Sequence, residues 1–227
     1  MNRFLLCTVL LATSAAAFAS PQTNGTRRDI DKVNGGITTE AGRAYGDLGT
    51  VNGGIALARG ASAEDVETVN GGITADDGVT ASEVSTVNGG IRFGRDGRIS
   101  GNLETVNGGI FIDRGSRVGG DVSTVNGAIG LVGTTVEGRI ETVNGDVTVG
   151  ADSRVARGIR IEKPKGNFGL SFGKHKIPRV VIGPNAVVDG PLVFEREVKL
   201  YVHASARIGS VSGATAVRYD GASPPKD

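Results

Sequence analysis

Residues 104–127 read ETVNGGIFIDRGSRVGGDVSTVNG. The tetrapeptide Val-Asn-Gly-Gly, or a close variant, opens at Val106 and returns at Val125. Along the chain it starts at Val33, Val51, Val69, Val87, Val106, Val125 and Val143, in steps of 18, 18, 18, 19, 19 and 18. The last two copies drift at their fourth position, to Ala128 and Asp146. Threonine precedes the valine in six of the seven copies, and Lys32 in the first. Ile37, Ile55, Ile73, Ile91, Ile110, Ile129 and Val147 each follow a repeat valine by four residues. A fixed short period of this kind marks a repeat architecture.

A finer period of six runs inside the unit. Val106, Ile112 and Val118 are six apart, and each is followed four residues later by Ile110, Ser116 or Val122. Leu131 and Thr135, then Val149, Ser153 and Val155, continue it. A short strand followed by a bend, three times over, closes one coil. Alternation within each side has the strand period of two. Paired glycines and β-branched residues exclude a helix. The expected fold is all-β, a single-stranded triangular β-helix (β-solenoid) of about 18 residues per coil. Seven marked coils at one strand spacing give roughly 34 Å of rod. Parallel crossovers favour the right hand, with a left-handed hexapeptide-type helix as the alternative. The repeat valines are expected inside, and Asn-Gly is expected to supply the positive φ of a tight corner.

Recurrence at one coil position stacks Asn34, Asn52, Asn70, Asn88, Asn107, Asn126 and Asn144 in a column. The structural reading is an asparagine ladder with amides bonded along the axis. The functional alternative is a row that binds a repetitive ligand. Calcium repeats need aspartates beside the glycines, and only Asp146 stands in that column.

Composition agrees. Glycine is 37 of 227 residues, about 16% against a usual 7% or so. Collagen is excluded by spacing. With 38% hydrophobic residues and net charge +1, wholesale disorder is excluded too. The overall neutrality gives no reason to expect nucleic acid as a partner.

The start of the chain has the form of a secretory signal. Arg3 precedes the apolar run Phe4–Phe18, and Ala17-Phe18-Ala19 supplies the small-x-small pattern, with cleavage expected after Ala19. The run is too short to span a bilayer comfortably, and nothing after it resembles a transmembrane span. Cys7, the single cysteine, lies within the signal, so the remaining chain has no disulfide or thiol chemistry. The expected location is periplasmic, extracellular or cell-surface. The expected organisation is signal 1–19, cap or linker 20–31, repeat solenoid 32–158, basic insertion 159–180, C-terminal coils 181–212 and flexible tail 213–227.

The insertion is the candidate partner-binding loop, with Lys163, Lys165, Phe168, Phe172, Lys174, His175, Lys176 and Arg179. Loops leaving a rigid scaffold often carry function. Its cations and phenylalanines suit a cell-envelope glycan, lipid headgroup or protein, and the alternative is a solvated loop covering the rod's flank.

Two enzyme classes use such folds. Hexapeptide acyltransferases need a histidine base, and only His175 and His203 exist. Carbohydrate-active β-helices need clustered carboxylates. Here Asp76-Asp77 meets Ala58-Arg59 and Gly94-Arg95 in neighbouring coils. No catalytic residue, metal or cofactor is assigned, and the chain is expected not to be an enzyme.

Val118-Gly119-Gly120-Asp121-Val122 and Val181-Ile182-Gly183-Pro184-Asn185-Ala186-Val187 resemble bactofilins, the polymer-forming β-helical cytoskeletal proteins of bacteria. The Thr-Val-Asn-Gly units are similar to β-helical putative-adhesin domains of bacterial surface proteins. The resemblance spans roughly 30–213. It implies a right-handed triangular rod that polymerises end to end, and it transfers no functional residue. The expected role is a structural scaffold, self-assembling as a homo-oligomer, or an adhesin-like envelope-binding rod.

Overall fold

A computed structural model describes residues 27–164, 177–221 and 223–225. Among them there is no helix, and all strand pairing is parallel. Three sheets form the walls of a β-solenoid. The first has ten strands, from Arg28–Asn34 to Val211–Ser212. The second has ten, from Ile37–Thr38 to Ala216–Tyr219. The third has seven, from Thr80–Ala81 to Arg207–Ile208, and bridges at Ala44, Ser62 and Thr80 extend it toward the N-terminus. One coil takes one strand from each sheet in turn, as in Asp65–Asn70, Ile73–Ala75 and Thr80–Ala81. Ten rungs at one strand spacing make a rod of about 43 Å.

Registration between coils is side chain on like side chain. Leu48, Val66, Val84, Leu103, Val122, Ile140, Ile159 and Leu192 form one inward column of the first sheet. Ile37, Ile55, Ile73, Ile91, Ile110, Ile129, Val147 and Val180 form one of the second. All are buried. No single coil can enclose these groups, so the core exists only through stacking.

Two details of the unit differ from the sequence expectation. The repeat valines face outward: Val33, Val51 and Val125 are 68%, 41% and 38% exposed. The inward residue is the threonine before each valine, because strand alternation starting from Leu48 or Val66 reaches Thr50 or Thr68. The positive-φ corner is also elsewhere. Gly42, Gly60, Gly78, Asp96, Gly115, Gly133, Asp152 and Asn185 carry it, between the second and third sheets. In the Asn-Gly-Gly corners only Gly35 has positive φ. There the first glycine is required by close approach: a Cβ on Gly71 or Gly89 would overlap the backbone of Gly53 or Gly71 in the preceding coil.

The solenoid is also longer than expected at both ends. Arg28–Asn34 is already a paired strand. Ala216–Tyr219 pairs with Lys199–His203, beyond residue 212 where the tail is expected to start. Strands Ile159–Ile161 and Arg179–Ile182 narrow the insertion to 162–178. The signal segment lies outside the described residues.

Candidate functional site: the asparagine column and the corner that ends it

The seven asparagines form a hydrogen-bonded column on the edge between the first and second sheets. Each amide Nδ2 donates to Oδ1 of the asparagine one coil earlier, from Asn52 to Asn34 through to Asn144 to Asn126, at 2.9–3.1 Å. Equal spacing gives each amide the same pair of neighbours, so donors and acceptors match along the row. Asn88→Ala removes both of its ladder bonds and is expected to cost about 1 kcal/mol, since these groups are exposed and water competes for them. Thermal unfolding followed by circular dichroism measures it.

A second column lies just inside. Thr50, Thr68, Thr86, Thr105 and Thr124 each donate a hydroxyl hydrogen bond to a corner glycine carbonyl one coil earlier, Gly35, Gly53, Gly71, Gly89 and Gly108, at 2.8–3.0 Å. Burying a hydroxyl without such a partner is costly. Where the Asn-Gly-Gly corner stops, the same slot becomes Ile161 and then Phe194. Thr142 stands at the change of corner, and its buried hydroxyl has no hydrogen-bond partner. The clue was available in sequence as threonine's place before the valine in six of the seven copies, but its hydroxyl's acceptor lies 15 or 16 residues away.

Among the described residues the ladder ends at Asn144, in the seventh coil. Arg196, from the ninth coil, donates through Nη1 to Asn144 Oδ1 at 2.7 Å and to Val143 O at 3.0 Å. A guanidinium thus closes the last amide acceptor. Of the candidate loop residues, Lys165, Phe168, Phe172, Lys174, His175 and Lys176 lie outside the described residues. Lys163 sits at the loop's entry, its backbone N–H donating to Glu195 Oε2 at 3.5 Å. Arg179 opens a strand. Its N–H donates to Asp146 Oδ1 at 2.9 Å, its Nη2 to Pro225 O at 2.6 Å, and its guanidinium lies 4.8 Å over the Tyr201 ring. These bonds tie the C-terminal segment to the rod's flank.

His203 is similarly absorbed. Its Nδ1 accepts the Ser205 N–H at 3.1 Å and lies 2.8 Å from Ser205 Oγ, which accepts the Asn185 N–H at 2.9 Å. The ring packs edge-on against Tyr219. This is a corner clasp two residues long, and in the coils below it Asp152 accepts from the Asn185 side-chain amide at 3.2 Å.

The outer face of the first sheet is acidic from strand Tyr45–Asn52 to strand Val122–Asn126. Asp47, Asp65 and Glu83 form one column and Glu67 and Glu104 lie in the next, alternating there with Gly49, Ser85 and Ser123. Some of these carboxylates serve the backbone: Asp29 and Asp47 accept the N–H of Asp47 and Asp65 in the following coil. The carboxyls of Glu67 and Glu104 are raised above the usual range, first by partial burial and then by neighbouring carboxylates, Asp65, Glu83 and Asp47 for Glu67 and Glu83, Asp121 and Glu141 for Glu104. Among the described residues no group of three or more His, Cys, Asp or Glu has the arrangement of a metal site. No described helix is long and apolar enough to cross a membrane.

Neither a family model, nor a curated protein, nor a solved structure matches the chain. The β-solenoid is therefore defined by the coordinates and the repeat alone.

Proposed function

We propose that the chain is a non-catalytic structural rod of the bacterial envelope or cell surface, which assembles end to end. The observation that supports this most directly is the state of its ends. Among the described residues Arg28–Asn34, seven residues long and largely exposed, pairs on one side only, with Tyr45–Asn52. At the other end, again among the described residues, Ala216–Tyr219 pairs only with Lys199–His203. Unpaired edges of this length are templates for another chain. The signal-like start directs such a rod out of the cytoplasm. The use of His203 as a corner clasp favours a non-catalytic role. With Arg196 closing the amide ladder at one end, the joint between rods rests on main-chain pairing.

Sedimentation and electron microscopy of the chain starting at Ser20 test the reading. Rods longer than one molecule are expected, and they should persist in high salt because main-chain bonds carry the joint. Val33→Lys places a charge on the exposed edge strand and should shorten them to single rods without lowering thermal stability. A strict monomer at high concentration overturns end-to-end assembly.

A further inference from the structure

The chain is neutral overall to within one charge, yet its walls are not. The five first-sheet strands from Tyr45–Asn52 to Val122–Asn126 contain Asp47, Asp65, Glu67, Glu83 and Glu104 and no lysine or arginine. The outward column of the third sheet runs Ser62, Thr80, Arg98, Arg117, Thr135, Arg154, Val187, Arg207, and contains no acid. Arg98 and Arg117 are register partners on adjacent strands, so two like charges stand one strand spacing apart. Arg117 and Arg154 reach Glu137 and Asp189 at the corner, at 2.7 and 2.8 Å, and both stay more than half exposed. Each column places one residue per coil, so their axial repeats are equal in any two copies.

We propose that the acidic first sheet of one molecule docks laterally on the arginine column of the third sheet of a second copy, with the rod axes aligned. Charge complementarity and the shared coil repeat select this partner: facing rods keep register over several coils at once. The exposed Glu67 and the partly buried Glu104, crowded by other carboxylates, gain a counter-charge from the arginine column. The two faces are different surfaces, so the contact is heterologous and open, and it propagates into bundles. It deepens the self-assembling rod reading but does not depend on end-to-end joints. Exposed ion pairs are individually weak, so the bundle draws on many of them and dissolves in salt.

The test is sedimentation with electron microscopy at about 0.01 M salt, where screening reaches about 30 Å, and at about 1 M, where it reaches about 3 Å. Lateral bundles are expected in the first and their loss in the second; end-to-end joints survive both, so the two readings fail separately. Glu67→Lys with Glu104→Lys, and Arg98→Glu with Arg117→Glu, should each abolish bundling alone. Mixed in equal amounts, the two double variants carry complementary faces again and should bundle. Circular dichroism checks that each is folded, and Glu67→Gln with Glu104→Gln, which should weaken bundling, replaces a lysine variant that does not fold. Single-width wild-type rods at low salt, bundles that survive either double variant, or a mixture of folded variants that fails to associate would each overturn the proposal.

Discussion

Gly89→Val is expected to lose about 3–5 kcal/mol of stability, more than the 1–3 kcal/mol usual for overpacking, because the obstacle is backbone. A Cβ at Gly89 would overlap the carbonyl oxygen of Gly71, with Gly71 C and Gly72 N close behind. No rotamer change relieves that contact, so the two coils must part. Parting them strains the Thr86 and Thr105 hydroxyl bonds to Gly71 and Gly89 and the Asn88 amide bonds on either side. The neighbouring position is the control. A Cβ at Gly90 would meet Gly109 O at 3.1 Å, and the same column holds Ala128 in the sixth coil and Asp146 in the seventh. Gly90→Ala should therefore cost under about 1 kcal/mol, within the usual range for a mild substitution. Thermal unfolding by circular dichroism separates the two variants, and equal losses would remove close approach as the reason for the first glycine.

That contrast is already visible in the repeat. The first glycine is kept in all seven copies, while the second drifts at Ala128 and Asp146. The coil length, the three walls and the asparagine column were legible because each leaves a residue type at a fixed interval. The direction of the valines was not. A Thr-Val pair in a strand gives one residue to the core and one to solvent, and hydrophobicity favours placing valine inside. The choice falls the other way because Thr hydroxyls find glycine carbonyls one coil below, a contact between residues 15 or 16 apart. The positive-φ corner misled for a related reason. Asn-Gly is a turn signal by composition, but here its asparagine is recruited by stacking and its glycine by proximity. The left-handed residues fall instead on a corner of mixed sequence, where Asp96, Asp152 and Asn185 take the conformation beside glycines.

Charge segregation was hidden for another reason. A net charge of +1 averages over walls that the winding separates. Acids spaced 18 residues apart, such as Asp47, Asp65 and Glu83, look scattered along the chain and become a column only when the coil closes. The same winding turns the distant Arg196 into the cap of a ladder whose last member is Asn144. Long-range order at fixed pitch thus makes the fold easy to read and makes surface chemistry depend on registers that differ by one residue between coils of 18 and 19.

Phe93→Ala should cost about 4 kcal/mol, and the loss should depend on a glycine four residues away. Phe93 is fully buried and is the largest such side chain in the core. Its column neighbours are Ala75 and Ile112. The inward corner position of its own coil is Gly97, where other coils have Ala61, Val79 or Ser116, all buried. A Cβ on Gly97 would meet Phe93 Cδ1 at 3.0 Å. The third coil solves the same space with Ala75 and Val79, the fourth with Phe93 and Gly97. Truncating Phe93 therefore leaves a cavity with Ala75 below it and no side chain at Gly97 to fill it, which places the cost at the upper part of the usual range for phenylalanine truncation. Gly97→Val alone should destabilise by about 1–3 kcal/mol through overpacking against Phe93. Combined with Phe93→Ala it should recover part of the loss, because the fourth coil then copies the third. The signs oppose, so the pair is far from additive, as expected for residues that share one cavity. Chemical denaturation of the wild type, both single variants and the double variant measures the coupling. A double variant less stable than Phe93→Ala would mean that volume is not exchanged between these two positions, and that each coil's core is fitted one residue at a time.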